Sequence, residues 1–116
     1  MTDNCKRVHF IGVGGVGMSG IARVAADAGM RVSGSDMKSS RYTDDLVAAG
    51  IPIFIGHDAS QLGDASIVIR TAAVKDNNPE IAEARRRGLP VLERAQAWGL
   101  LMQGYRHAVC VAGTHG

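Results

Sequence analysis

The sequence predicts an α/β fold: a Rossmann-like open parallel sheet with helices on both faces, in a single domain. Three observations carry that expectation. Short apolar runs alternate with segments of helical periodicity along the chain. The first run ends in a glycine-rich loop that opens directly into a helix. With 116 residues there is room for one compact domain and no separate substrate domain.

Arg7 to Ile11 reads as the first strand, apolar without strict alternation, as a strand buried on both faces should be. A helix follows from about Val16, with Ile21, Val24, Ala25 and Ala28 on one face, Arg23 and Asp27 turned away, and Gly29 as its stop. Arg31 to Ser35 is the second strand. Beyond the loop at Asp36 to Ser39, Ser40 caps a short helix that carries Asp44 and Asp45 early, where they favour the helix dipole, and that ends at Gly50. Ile51 to Ile55 and Ser66 to Ile69 are the third and fourth strands.

Asn78, Pro79 and Glu80 then supply an N-cap, a first-turn proline and an early acid in the order a helix start requires. That helix closes at Gly88, with Arg85, Arg86 and Arg87 at its negative end and Glu83 spaced to pair with Arg87. Pro90 to Leu92 forms a short strand. A helix from about Glu93 to Met102 places Ala95, Trp98, Leu101 and Met102 on one stripe, which puts Trp98 in the core. His107 to Ala112 reads as a last buried strand running into Gly113, Thr114, His115 and Gly116.

Composition narrows the function classes. Hydrophobic residues make up 46% and charged residues 21%, so a buried core is feasible and wholesale disorder is excluded. A formal charge of +2, with Arg85 to Arg87 as the densest basic run, is too little for a nucleic-acid interface. Lys6 and Arg7 ahead of Val8 to Ala26 imitate a signal peptide, but five glycines between Gly12 and Gly20 would each cost a helix about 1 kcal/mol. No run of about 18 apolar residues is present, so no membrane span is expected. Two cysteines, Cys5 and Cys110, make neither a disulfide framework nor a metal-ligand spacing, which fits a reducing, cytoplasmic setting. His9, inside a strand, reads as a satisfied core histidine.

Gly12, Val13, Gly14, Gly15, Val16 and Gly17 satisfy G-x-G-x-x-G between a strand and a helix. The first glycine permits the turn, the second lets the backbone approach a diphosphate, and the third allows close packing. Amides at the helix start then face the anion. Asp36, about twenty residues on, stands where an acid accepts ribose hydroxyls. A glycine turn that only packs a helix, and a loop acid that only caps one, are the plainer alternatives. The loop by itself accommodates NAD, FAD or a UDP-sugar, and taken alone favours NAD.

The string HFIGVGGVGMSGIARV from His9 to Val24 is followed by GSD at Gly34 to Asp36 and GH at Gly56 and His57. DNNPEI at Asp76 to Ile81, PVLERA at Pro90 to Ala95 and VAGTHG at Val111 to Gly116 come next. Together they resemble the amino-terminal part of the UDP-N-acetylmuramate:L-alanine ligases of the Mur ligase family. The resemblance runs over essentially the whole chain.

It implies a ligase of peptidoglycan synthesis in which an amino-terminal domain binds UDP-N-acetylmuramate. A central domain using ATP and magnesium activates the lactyl carboxylate as an acyl phosphate, and L-alanine attacks. On that basis residues 1–106 would bind the UDP-sugar, and residues 107–116 would be the first strand and truncated P-loop of the ATPase domain, with Gly113, Thr114, His115 and Gly116 as ATP-loop residues. The family continues AGTHG with a lysine and a threonine run, so a chain ending at Gly116 would bind and not catalyse, and would itself hold no cofactor.

Carried over residue by residue, the resemblance places the diphosphate over Gly12, Gly14, Gly15, Val16, Gly17 and Met18, with Ser19 as a nearby hydroxyl donor. Asp36 would hold ribose or uracil, and His57 would line the uridine pocket, the alternative being a loop histidine bonded to backbone. Where family members often carry two serines, this chain reads Arg70, Thr71, Ala72 and Ala73: Thr71 keeps a hydroxyl and Ala72 does not. Arg70 either offers a cation to a phosphate or, as the plainer reading, is a solvated strand-end arginine. Arg94 matches a family arginine, either as a ligand contact or as a surface charge at a helix start. The rival reading is an NAD-binding domain of an oxidoreductase or a regulatory module.

Overall fold

A computed structural model describes residues 7–102. Five strands alternate with four helices: β1 (Arg7–Ile11), α1 (Val16–Asp27), β2 (Arg31–Asp36), α2 (Arg41–Ala48), β3 (Ile53–Ile55), β4 (Ala65–Arg70), α3 (Pro79–Arg86), β5 (Val91–Glu93) and α4 (Arg94–Met102). The strands form one parallel sheet in the order β3-β2-β1-β4-β5. This is the expected open α/β architecture, and β1 is its centre. The chain leaves β1 for β2 on one side and later returns to β4 on the other, so the sheet's switch point lies between β1 and β4.

Strand alternation divides the side chains of β1 between two cores. Val8 and Phe10 join Val32, Ile69, Met18, Ile21, Ala22, Ala25, Leu46 and Ala97 under α1, α2 and α4. Ile11 joins Leu62, Val68, Ile81 and Ala84 under α3. His9, Ser33 and Ser35 alternate with the apolar positions of β1 and β2 and are wholly buried, so they bring polar groups to the α3 side of the sheet.

Helix ends follow local chemistry. Ser40 and Thr43 form a reciprocal capping box at α2, with Asp44 in the first turn. The Asn78 side chain caps α3 at the Glu80 amide, ahead of Pro79 at the first position. Gly29, Gly50 and Gly88 follow their helices at positive φ. The arginine run is absorbed locally: Arg86 and Arg87 bond Glu83 at 2.6 and 2.7 Å and, Arg86 foremost, draw its carboxyl down to about 2.

A 3-10 turn at Ala59–Leu62, capped by Asp58, fills the α3 side. Three expectations change. β3 begins at Ile53, because Pro52 has no amide to donate, although Ile51 is still buried. In α4 it is Ala97 that meets the core; Trp98 is 41% exposed and Ala95 is exposed, so Trp98 is not a core residue among the described residues. Arg70 is not solvated: its side chain is mostly buried and its guanidinium donates to the Asp76 carboxylate and the Val74 carbonyl. The strand expected at His107 to Ala112, the loop Gly113, Thr114, His115 and Gly116, and both cysteines lie outside the described residues. Among the described residues, no helix is long and apolar enough to cross a membrane.

Candidate functional site

The glycine loop leaves the carboxyl end of β1 and is pinned at once. The Gly12 and Val13 amides both donate to the Ser35 carbonyl, at 2.8 and 3.0 Å, and the Gly15 amide donates to the Gly12 carbonyl at 3.2 Å. Gly12 has φ +81°, which a side chain would strain. The Gly14 amide donates to Asp36 Oδ2 at 2.7 Å. Gly15 caps α1 with no side-chain hydrogen bond. Hence the amides of Val16, Gly17 and Met18, which have no acceptor within a helix's first turn, carry its partial positive charge into open space.

That space is a cleft of about 380 Å³ lined by Gly15, Gly17 and Met18 after β1, Thr71 and Ala72 after β4, and Glu93, Arg94 and Ala95 at the end of β5. It opens at the carboxyl ends of three adjacent strands and at the switch point, where open α/β sheets take their ligands. The Arg94 guanidinium lies against Gly17 so closely that a Cβ there would collide with Nη1. Uncapped amides and a guanidinium therefore converge on one hollow, an arrangement suited to a phosphate or carboxylate. Thr71 packs over Gly12, and its amide reaches the Ile11 carbonyl at 3.4 Å.

A second group of polar residues lies on the α3 side. Glu80 is completely buried. Its Oε1 accepts from His9 Nε2 and from the Ser35 hydroxyl, the latter at 2.9 Å, and its Oε2 accepts from His57 Nδ1 at 2.6 Å. Gln61, with its amide nitrogen turned inward, adds a bond to Oε2 at 3.1 Å. Burial pushes the Glu80 carboxyl up, but hydrogen bonds from His9 and His57, the His9 charge and Ser35 outweigh it, and the carboxyl sits below its ordinary value. His9 is, as expected, a satisfied core histidine, its Nδ1 lying 2.8 Å from Ser33 Oγ.

The structure thus gathers Gly15, Gly17, Met18, Thr71 and Arg94 around the cleft. Gly12 and Gly14 shape the loop from behind, and Val16 contributes its backbone at the first helical position. Ser19 lines a smaller hollow between α1 and α2 instead, with Gly20, Arg23, Tyr42, Asp45 and Leu46. Asp36 turns both oxygens to backbone, Oδ2 to Gly14 and Oδ1 to the Met37 amide at 2.7 Å. His57 is tied to the Glu80 network. Sequence reasoning took Glu80 only for an early acid at a helix start and missed that network. The available signal was the set of polar residues His9, Ser33 and Ser35 at strand positions that alternate with Val8, Phe10, Val32 and Gly34. Among the described residues, no cluster of three or more His, Cys, Asp or Glu side chains could hold a metal ion.

Comparison with known proteins gives the family. The UDP-N-acetylmuramate–L-alanine ligase of Rubrobacter xylanophilus is 53% identical over 110 residues, covering 95% of this chain and 24% of that protein. The ligase of the same name from Clostridium novyi is 45% identical over 116 residues, covering all of this chain and 25% of that protein. Among solved structures, the UDP-N-acetylmuramate–alanine ligase of Thermotoga maritima superposes with a TM-score of 0.80 at 38% identity, over 84% of this chain and 23% of that one. The chain therefore spans about a quarter of the length of the curated relatives it matches. The profile of the Mur ligase family, catalytic domain, matches residues 7–106, and this chain belongs to the Mur ligase family.

Proposed function

We propose that this domain binds the UDP moiety of UDP-N-acetylmuramate for a ligase that joins L-alanine to it in peptidoglycan synthesis. The observation that carries this reading is the uncapped start of α1, which opens with Arg94 onto the cleft at the switch point. A diphosphate there accepts from the Val16, Gly17 and Met18 amides and from the Arg94 guanidinium, a charge-assisted contact worth about 1.5–3 kcal/mol. Thr71 offers a hydroxyl on the opposite wall. Asp36 keeps the loop in shape and retains lone pairs for a ribose hydroxyl, and Ser19 lies one residue past the amides that hold the anion.

In this reading residues 1–106 form the UDP-sugar domain and residues 107–116 begin the ATPase domain. ATP and magnesium belong to the loop at Gly113 to Gly116 and to the remainder of such a ligase, in the cytoplasm where nucleotide-activated sugars are made. An NAD-binding role would use the same loop, and family membership disfavours it.

Calorimetric titration with UDP-N-acetylmuramate and, in parallel, with NADH tests the proposal. Saturable binding of the UDP-sugar and no binding of NADH is the expected result. Binding of NADH alone, or of neither, would overturn it.

A further inference from the structure

Glu80 holds two imidazoles on one buried carboxylate, and it holds them differently. His9 is fully buried and satisfied at both ring nitrogens, Nε2 by Glu80 and Nδ1 by Ser33. His57 uses only Nδ1, at 2.6 Å from Glu80 Oε2, with the Ser35 hydroxyl 3.2 Å away. Its side chain is 14% exposed. Its Nε2 has no partner among the described residues, yet is not among their buried unpartnered atoms, so it reaches solvent.

An ionised carboxylate can only accept hydrogen bonds, so the hydrogen on His57 must sit on Nδ1. In the neutral ring the lone pair then falls on Nε2. A carboxylate behind an imidazole fixes tautomer and ring orientation in this way at many functional sites. A network built only to fill the core would satisfy both nitrogens of both rings, as it does for His9. His57 instead follows β3 at the carboxyl end of the sheet, the same end as the glycine loop.

We infer that Glu80 is a positioning residue: braced by His9 and Ser35, it locks the His57 ring so that Nε2 is presented as a hydrogen-bond acceptor for a bound nucleotide. The groups it fits are a ribose hydroxyl or the imide N–H of a uracil-like base. The ligand half of this inference rests on the UDP-sugar reading; the locked tautomer does not.

The tautomer is read without ligand, by long-range proton–nitrogen correlation on chain labelled with 15N-histidine, at a pH where the rings are neutral. His57 is expected with hydrogen on Nδ1 and a lone pair on Nε2, and E80Q, whose amide also donates, should release it toward the Nε2–H form. An Nε2–H ring in the unaltered chain, or the same tautomer in E80Q, would overturn the lock. Should E80Q fail to fold, the unaltered chain alone decides.

For the ligand, His57→Ala should weaken UDP binding about five- to tenfold, the worth of one hydrogen bond, and His57→Gln, whose carbonyl can stand in for Nε2, should restore most of it. Loss of preference for UDP over 2′-deoxy-UDP in His57→Ala assigns the ribose hydroxyl; an equal loss for both assigns the imide. Unchanged affinity in His57→Ala would overturn the ligand half. Absence of UDP-sugar binding by the unaltered chain would instead sink the functional reading, with the tautomer still deciding the role of Glu80.

Discussion

The Asp36 carboxylate occupies the space that a side chain on Gly14 would need. Its Oδ2 accepts the Gly14 amide at 2.7 Å, and a Cβ on Gly14 would stand 2.6 Å from that oxygen and 3.1 Å from Thr43 Cγ2. The second glycine of the loop is thus required by the protein's own acid before any ligand arrives. Gly15 differs: its φ is −67°, it is exposed, and the nearest atom to a Cβ there is 3.6 Å away.

These two glycines should therefore separate under substitution. Gly14→Ala is expected to destabilise by about 1–3 kcal/mol through overpacking. Gly15→Ala should cost under about 1 kcal/mol, as an N-cap change, while lowering UDP-sugar affinity at least tenfold. Denaturant melts paired with titrations check both; equal stability of the two variants would contradict the assignment.

Asp36→Ala should lower stability as well as binding, because two backbone amides lose their acceptor. About 1–3 kcal/mol is expected from urea unfolding, with Asp36→Asn recovering part of it by keeping one oxygen on Gly14. A variant as stable as the parent would show that the loop does not depend on this carboxylate.

Gly17 and Arg94 form a coupled pair. Alanine suits a helix better than glycine by about 1 kcal/mol, so Gly17→Ala should fold at least as well as the parent. Its methyl must push the Arg94 guanidinium aside, so binding should fall as it does in Arg94→Ala. The double variant should then bind no more weakly than Arg94→Ala alone. Additive losses in a double-mutant cycle would mean that the two act separately.

Glu80 predicts a pH signature. Its carboxyl is held below the ordinary value in the folded chain, so it stabilises the fold above the usual carboxylate range and loses that contribution as pH falls through the lowered value. The stability gap between the parent and E80Q should be full near pH 5 and shrink towards pH 3. A gap that stays constant over that interval would mean that folding does not lower the Glu80 carboxyl.

Much of the scaffold was legible because its signals are local. The glycines after β1, the Ser40 cap and the Asn78-Pro79-Glu80 start each depend on neighbours a few residues away. Glu80 shows where that reading stops. Its helix position was correct, but its direction depends on His9, 71 residues distant. Trp98 is the same lesson for a helix face. Periodicity says which residues of α4 share a side, and only packing on α1 decides that Ala97 turns inward and Trp98 outward. Arg70 took its burial from Asp76 and Val74, in a turn whose path the sequence does not dictate.

The walls of the cleft come from three distant stretches of chain, around Gly15, Thr71 and Arg94. None of them exists as a wall until β4 and β5 have docked on β1 by parallel pairing, the slow kind that must close long loops first. A ligand spanning all three walls can bind only the completed sheet, so it acts as a reporter of assembly. Its presence raises the melting temperature by mass action, and the last strand to dock decides when a newly made chain becomes competent to hold it.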